Sequence, residues 1–186
     1  MSMKRIQIGF TLVEMLVALA IVAILTAMAA PSFNLLIDSA ARRTQLGSIN
    51  NALRFARGES LSKSQQVVMC ASVDGSTCAV NNDWSTGWVV FLDRNTNSVP
   101  EYGTDSCALD EDCLLSTQDA LAQDITLLAD NTFVTFTELG ERLGGASTLR
   151  LCSEEALAVN DIDNSHTISV AASGSVSVSR GTALCP

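Results

Sequence analysis

Residues 10–30 constrain this chain more than any other stretch: twenty-one positions hold a single ionisable side chain, Glu14. A helix needs about 20 apolar residues to cross the hydrocarbon core, so the run is long enough to span a bilayer. It exceeds the roughly 7 to 15 residues of a secretory h-region, and Ala29-Ala30-Pro31-Ser32-Phe33 continues it in more apolar sequence rather than in a small-x-small cleavage site. Lys4 and Arg5 supply a basic flank, which keeps the N-terminal side cytoplasmic. A carboxylate in such a segment costs about 2.5 to 3.5 kcal/mol near the bilayer centre and less near its edge, so Glu14 marks a functional position that needs a partner.

Beyond Pro31 the helical pattern resumes. Phe33, Ile37, Ala40, Leu46, Ile49, Leu53 and Ala56 follow a 3.6 period while Arg42, Asn50, Asn51, Arg54 and Arg57 face elsewhere. One helix from Phe10 to about Arg57 would be roughly 70 Å long, too long for a bilayer, so its second half must pack on a soluble head. Pro31 removes a backbone hydrogen bond and should kink or locally melt it, and Gly58 is a natural stop. The remainder reads as strands over residues 66–73, 87–92, 132–137 and 147–152, with a hairpin at 166–171 and 175–179 around Ala172-Ser173-Gly174. Residues 154–159 suit one or two helical turns, and 93–114 an acidic loop without period. The fold class is α+β, a long N-terminal helix on a mostly antiparallel sheet. Its domains are a leader at 1–9, a transmembrane and assembly helix at 10–30, an amphipathic second half at 31–58 and a β-rich head at 59–186.

The net charge of −9 is unevenly spread. From Glu59 onward eighteen acidic residues face five basic ones, Lys63, Arg94, Arg142, Arg150 and Arg180, whereas Arg42, Arg43, Arg54 and Arg57 make the preceding helix positive. An acidic head suits phosphate backbones poorly, because nucleic-acid affinity comes largely from Lys and Arg. Six cysteines beyond the apolar run fit an oxidising compartment, and the positive-inside rule puts them in the periplasm. Six allow fifteen pairings, among which sequence does not choose. Spacing favours Cys70 with Cys78 across a turn, Cys107 with Cys113 around an acidic loop, and Cys152 with Cys185 tying the last strand back. The absence of a Cys-x-x-Cys argues for staples over metal or redox use.

Gly9-Phe10-Thr11-Leu12-Val13-Glu14 after a short basic leader, followed by an apolar helix with Pro31, resembles the class III signal of type IV pilins and type II secretion pseudopilins. The resemblance implies cleavage by a prepilin peptidase between Gly9 and Phe10, N-methylation of Phe10, and pairing of Glu14 with the terminal ammonium of a neighbouring subunit. Cleavage would create a cation beside a lone anion in low dielectric, where a paired charge is tolerable and an unpaired one is not. The head is similar to the GspH/FimT group through Trp84-Ser85-Thr86-Gly87-Trp88-Val89-Val90-Phe91-Leu92-Asp93, Phe136-Thr137-Glu138-Leu139-Gly140, Thr148-Leu149-Arg150-Leu151-Cys152, a closing hairpin and a terminal cysteine. The positions of Cys70 and Cys185 look more like its pilus branch. The implied function is that of a minor type IV pilin, a structural subunit that primes or joins pilus assembly in twitching and adhesion. Its implied partners are other pilins through the helix, the prepilin peptidase and inner-membrane lipid, with the subunit ending in a pilus at the cell surface. The alternatives are an H-type minor pseudopilin of type II secretion and a DNA-binding pilin of natural transformation. For the last, the resemblance implies a Gly-Arg-x-Arg element near the C-terminus, where this chain reads Gly174-Ser175-Val176-Ser177. No nucleic acid and no small-molecule substrate are expected.

No catalytic set, cofactor or metal is expected either. His166, the single histidine, stands at the start of a strand as a structural or solvated residue. Trp84 and Trp88, four apart around a glycine, read as core packing. Asp93-x-Asn95-x-Asn97 opens like a calcium loop, but Ser98 and Thr104 stand where that pattern needs glycine and glutamate, so a solvated acidic loop is the reading.

Overall fold

The computed structural model describes residues 11–101, 107, 111–153, 165–181 and 185, of which 27–36 and 38 by their backbone alone. Gly9, Phe10 and the turns expected at 154–159 lie outside the described residues. The chain divides into two compact units, residues 1–41 and 42–186.

Helix α1, Leu12–Lys63, carries both apolar segments. Its backbone stays helical through Pro31, so the local melting expected there is not formed. Nor does it stop at Gly58. Glycine in a helix interior costs only about 1 kcal/mol, and the extra turn is tied by Ser60, whose buried hydroxyl donates to Arg57 O at 2.8 Å, and by a Glu59–Lys63 ion pair at 3.5 Å. The helix ends where Ser64 takes φ +50° and Gln65 N donates back to Ser60 O at 3.2 Å, a Schellman-type close. Ile49, Leu53 and Ala56, at i, i+4 and i+7, are fully buried in the second unit.

The head contains two four-stranded antiparallel sheets where one was expected. The first has the order β3-β2-β1-β5, from β1 (Val67–Ala71), β2 (Trp88–Leu92), β3 (Cys113–Gln118) and β5 (Phe133–Phe136). Central β1 and β2 are buried on both faces, which is why they read as continuous apolar runs. The second has the order β4-β6-β7-β8, from β4 (Ile125–Ala129), β6 (Ser147–Ser153), β7 (His166–Val170) and β8 (Val176–Arg180). Strands β7 and β8 form the expected hairpin, Val170 opposite Val176, with Gly174 at φ +76° in the turn. Two strands stand where none was expected. Edge strand β3 starts in the last two residues of the expected acidic loop and runs on past it, and β4 shows its alternation only in burial, Ile125, Leu127 and Ala129 inward.

The sheets meet at the Trp84–Thr86 turn of 3-10 helix. Asp83 caps it through Ser85 N at 2.9 Å, and the Ser85 hydroxyl accepts from Leu127 N of β4 at 2.8 Å. Trp84 is fully buried and donates from Nε1 to Asn131 O at 3.3 Å. Gly87, at φ +105°, admits no Cβ: one would lie 2.3 Å from Gln118 O. The Trp-x-x-Gly-Trp run is thus the joint between sheets.

Candidate assembly site

The first turn of α1 is built around Glu14. Its Oε2 accepts from Thr11 N at 3.2 Å and from the Thr11 hydroxyl at 3.4 Å, while Glu14 N donates to Thr11 Oγ1 at 3.2 Å. Thr11-Leu12-Val13-Glu14 is therefore a reciprocal capping box, in which two orphan amides of the helix end are satisfied together. The sequence carried that signal in its Thr-x-x-Glu spacing, and reading Glu14 as an unaccompanied charge missed it. The carboxylate also favours the positive end of the helix dipole.

Around this cap the helix is apolar on every side. Leu12, Val13, Met15, Leu16, Val17, Leu19, Ile21, Val22, Ile24 and Leu25 are all more than half exposed. A helix apolar all round demands an apolar environment, whether a core or a membrane. Among the described residues no helix is long and apolar enough to cross a membrane. Side chains of the run are described from Thr11 to Thr26, sixteen residues, short of the roughly 20 that a crossing takes.

In the second unit the helix is clamped by its own arginines. Arg54 Nη2 donates to Val176 O at 3.0 Å and Nε to Asn50 Oδ1 at 3.1 Å; Arg57 Nε donates to Gly140 O at 3.0 Å and Nη2 to Ser173 O at 2.9 Å. Ser48 adds a bond to Gln118 of β3 at 2.8 Å. The 173–176 turn thus receives arginines from the helix instead of presenting its own. Arg142, not singled out from sequence, is buried and donates from Nη1 to Gly145 O at 3.0 Å; burial holds its pKa below the usual arginine value. Nothing in a lone arginine before two glycines signals this.

The sulfurs pair as Cys70–Cys78, Cys107–Cys113 and Cys152–Cys185, with Cα atoms 5.6, 4.3 and 6.0 Å apart. His166, half-buried, leaves Nδ1 without a hydrogen-bond partner; burial first, then the charges of Arg180 and Arg42, push its pKa below the usual value. In the acidic loop the carboxylates cap main-chain amides. Asp93 accepts from Ser98 N at 2.8 Å and Asn97 N at 3.2 Å, and Asp112 from Arg94 N at 2.9 Å and Glu101 N at 3.1 Å. Both are buried, so the described parts of the loop, 93–101 and 111–112, are internally organised, not merely solvated. Burial pushes the Asp112 carboxyl up, with Asp93 and Glu101 adding to the rise against the two amide bonds.

A capped apolar helix leading into a disulfide-stapled head of two antiparallel sheets is the architecture of pilin-like subunits. The chain belongs to the family described as Type II transport protein GspH, which it matches over residues 45–174. Residues 4–30 match the Prokaryotic N-terminal methylation motif. Among solved structures, the chain is similar to the type IV minor pilin FimU of Pseudomonas aeruginosa in two crystal forms, at 18% identity in each. In both the match covers 77% of this chain; it covers 88% and 93% of the FimU chains, with TM-scores of 0.53 and 0.52. It also matches the minor pseudopilin EpsH from the Type 2 Secretion System of Vibrio cholerae at 11% identity, over 74% of this chain and 95% of that one, with a TM-score of 0.48. No curated protein matches.

Proposed function

We propose that the chain is a minor type IV pilin, a non-enzymatic subunit that is cut between Gly9 and Phe10, held in the inner membrane by residues 10–30 with its head in the periplasm, and then built into a pilus. The carrying observation is the α1 start: a helix apolar on all sides, with one carboxylate in its first turn, inside a stretch that matches the methylation motif. Such a helix is stable in lipid and equally among the helices of like subunits, so the same surface serves as anchor before assembly and as contact after it. In this reading residues 1–9 are the leader, 31–58 continue the helix into the head and 59–186 form the head, with Phe10 N-methylated. The partners are other pilins, the processing peptidase and membrane lipid.

A second reading, the H-type minor pseudopilin of type II secretion, is favoured by the description of the matched family. The positions of Cys70 and Cys185 support the pilus reading. A clean deletion separates the two. Loss of surface pili and twitching with normal exoprotein secretion is the expected result; lost secretion with intact pili would overturn it.

A further inference from the structure

We propose that Arg42, His166 and Arg180 form a binding site for the phosphate of an anionic phospholipid headgroup at the periplasmic face of the membrane, a site that rests on the membrane reading above. His166 opens β7 and stands opposite Arg180, the last residue of β8. In the next pair out, Gly181 N donates to Ser165 O at 3.1 Å. Positions 166 and 180 are therefore a non-hydrogen-bonded pair, whose side chains share a face and approach closely. Helix α1 supplies the third group. Arg54 holds Val176 O at the start of β8, and about 18 Å of helix earlier Arg42 brings its charge to His166 at the other end of the strand, about 13 Å away. On the remaining side β6 sets uncharged Leu151 against His166.

Two of the three groups lack a partner in the chain. His166 Nδ1 is shielded from solvent with no hydrogen-bond partner, and Arg42 makes no hydrogen bond or ion pair among the described residues. Arg180 adds its charge. No carboxylate of the described residues offsets the two arginines at the imidazole, so both disfavour its charged form. Like charges held together in this way repel one another, and a shared anion turns the repulsion into attraction. A phosphate suits the place because its oxygens accept from guanidinium groups and from a protonated imidazole at the same time.

Chain position chooses the source of that phosphate. From Met15 to Ile37 no side chain is ionisable. That run makes about 34 Å of helix, which crosses a core of about 30 Å with a modest tilt and leaves Glu14 at the edge. Asp38 follows, and Arg42 comes one turn later, about 8 Å of helix past Ile37. The headgroup layer is about 5 to 8 Å deep, so an arginine there meets lipid phosphates with its side chain alone. A free duplex or a soluble anion approaches against the net charge of −9, whereas the anchor already holds this cluster at the surface.

His166 is the only histidine, so its imidazole gives an unambiguous NMR signal. The test places the full-length chain in nanodiscs of phosphatidylcholine and of phosphatidylglycerol and titrates His166 in each. Its midpoint should lie about one pH unit higher in the phosphatidylglycerol discs, about tenfold in proton affinity, because a bound anion favours the imidazolium. The difference between the discs is the measure, since Arg42→Gln raises both midpoints by removing a charge. In Arg42→Gln that difference should largely vanish, with circular dichroism unchanged. Equal midpoints in the two discs would overturn the proposal, and so would a difference that survives Arg42→Gln, which would reflect only the general surface potential. The same rise produced by millimolar inorganic phosphate in maltoside micelles would overturn the lipid assignment in favour of a free anion. A chain that does not co-elute with the discs would overturn the membrane reading and this site with it, a result distinct from insertion without a midpoint difference.

Discussion

Glu14 answers to two demands, and alanine removes both at once. Its carboxylate caps α1 through Thr11 N and Oγ1, and in the proposed filament its charge pairs with a neighbour's terminus. Glutamine serves the capping-box position as well as glutamate but carries no charge. Glu14→Gln should therefore leave a processed, membrane-resident protein that is missing from sheared filaments on immunoblots, as Glu14→Ala should. Incorporation of the glutamine variant alone would assign the residue to capping. Thr11→Val should cost only about 1 kcal/mol at the helix end. In the head, His166 sets a pH dependence. Its folded pKa lies below the usual 6.5 because burial, Arg180 and Arg42 all disfavour the cation. The unfolded chain thus binds the proton more readily, so this stability is complete above about pH 6.5 and is lost as pH falls below it. Melting temperature should drop between pH 7 and 5, and by less in His166→Gln; equal drops would count against the assignment.

Among the elements, the disulfides close rings of unequal size. Loop-closure entropy assigns about 3.7 kcal/mol to Cys152–Cys185, 33 residues apart, and about 2.5 kcal/mol to Cys70–Cys78, 8 apart. Paired serine substitutions should lower the melting temperature more for the first than for the second, in calorimetry of the oxidised proteins. Gly87→Ala should be more damaging than a surface glycine change, because φ +105° and the Gln118 carbonyl both exclude a side chain. Elements with a strong period were legible from sequence: the body of the helix is where the period put it, and β1, β2, β6 and the β7–β8 hairpin lie within a few residues of their expected bounds. The helix end was not, since a glycine's modest cost is outweighed by bonds such as that of Ser60, which no local pattern reveals. Strand β3 alternates too weakly at an edge, with Ser116 and Thr117 both exposed, and the half-buried Leu128 masks the alternation of β4. The division into two sheets depends on the Trp84–Thr86 joint, a tertiary fact. At the assembly site the charge of Glu14 was legible, while its local partner Thr11 was overlooked despite a readable spacing.

For the whole molecule, the uneven charge poses one further question, whether the positive helix segment makes this a DNA-binding subunit. Affinity for duplex DNA requires cations that reach phosphates, each contact adding to the salt dependence. Of the four helix arginines, Arg54 and Arg57 direct guanidinium N–H groups at Val176, Gly140 and Ser173 carbonyls of the head, which fixes them as clamps. Arg42 and Arg180 each lie close enough to His166 to disfavour a charged imidazole, so cations do gather around it. They belong, however, to a chain of net charge −9 whose C-terminal hairpin turn carries serines at 173 and 175 and no arginine. Long-range repulsion from the acidic head acts over about 10 Å at 0.1 M salt and over longer distances at lower salt, the condition under which a weak basic patch would otherwise show itself. A gel shift with 30-base-pair duplex at 20 mM salt should therefore show no retardation at micromolar protein. Arg54→Gln and Arg57→Gln should instead lower the melting temperature of the head, as expected for clamps. Tight, salt-sensitive retardation that is lost in those variants would reverse the assignment and make the same arginines a phosphate-binding face.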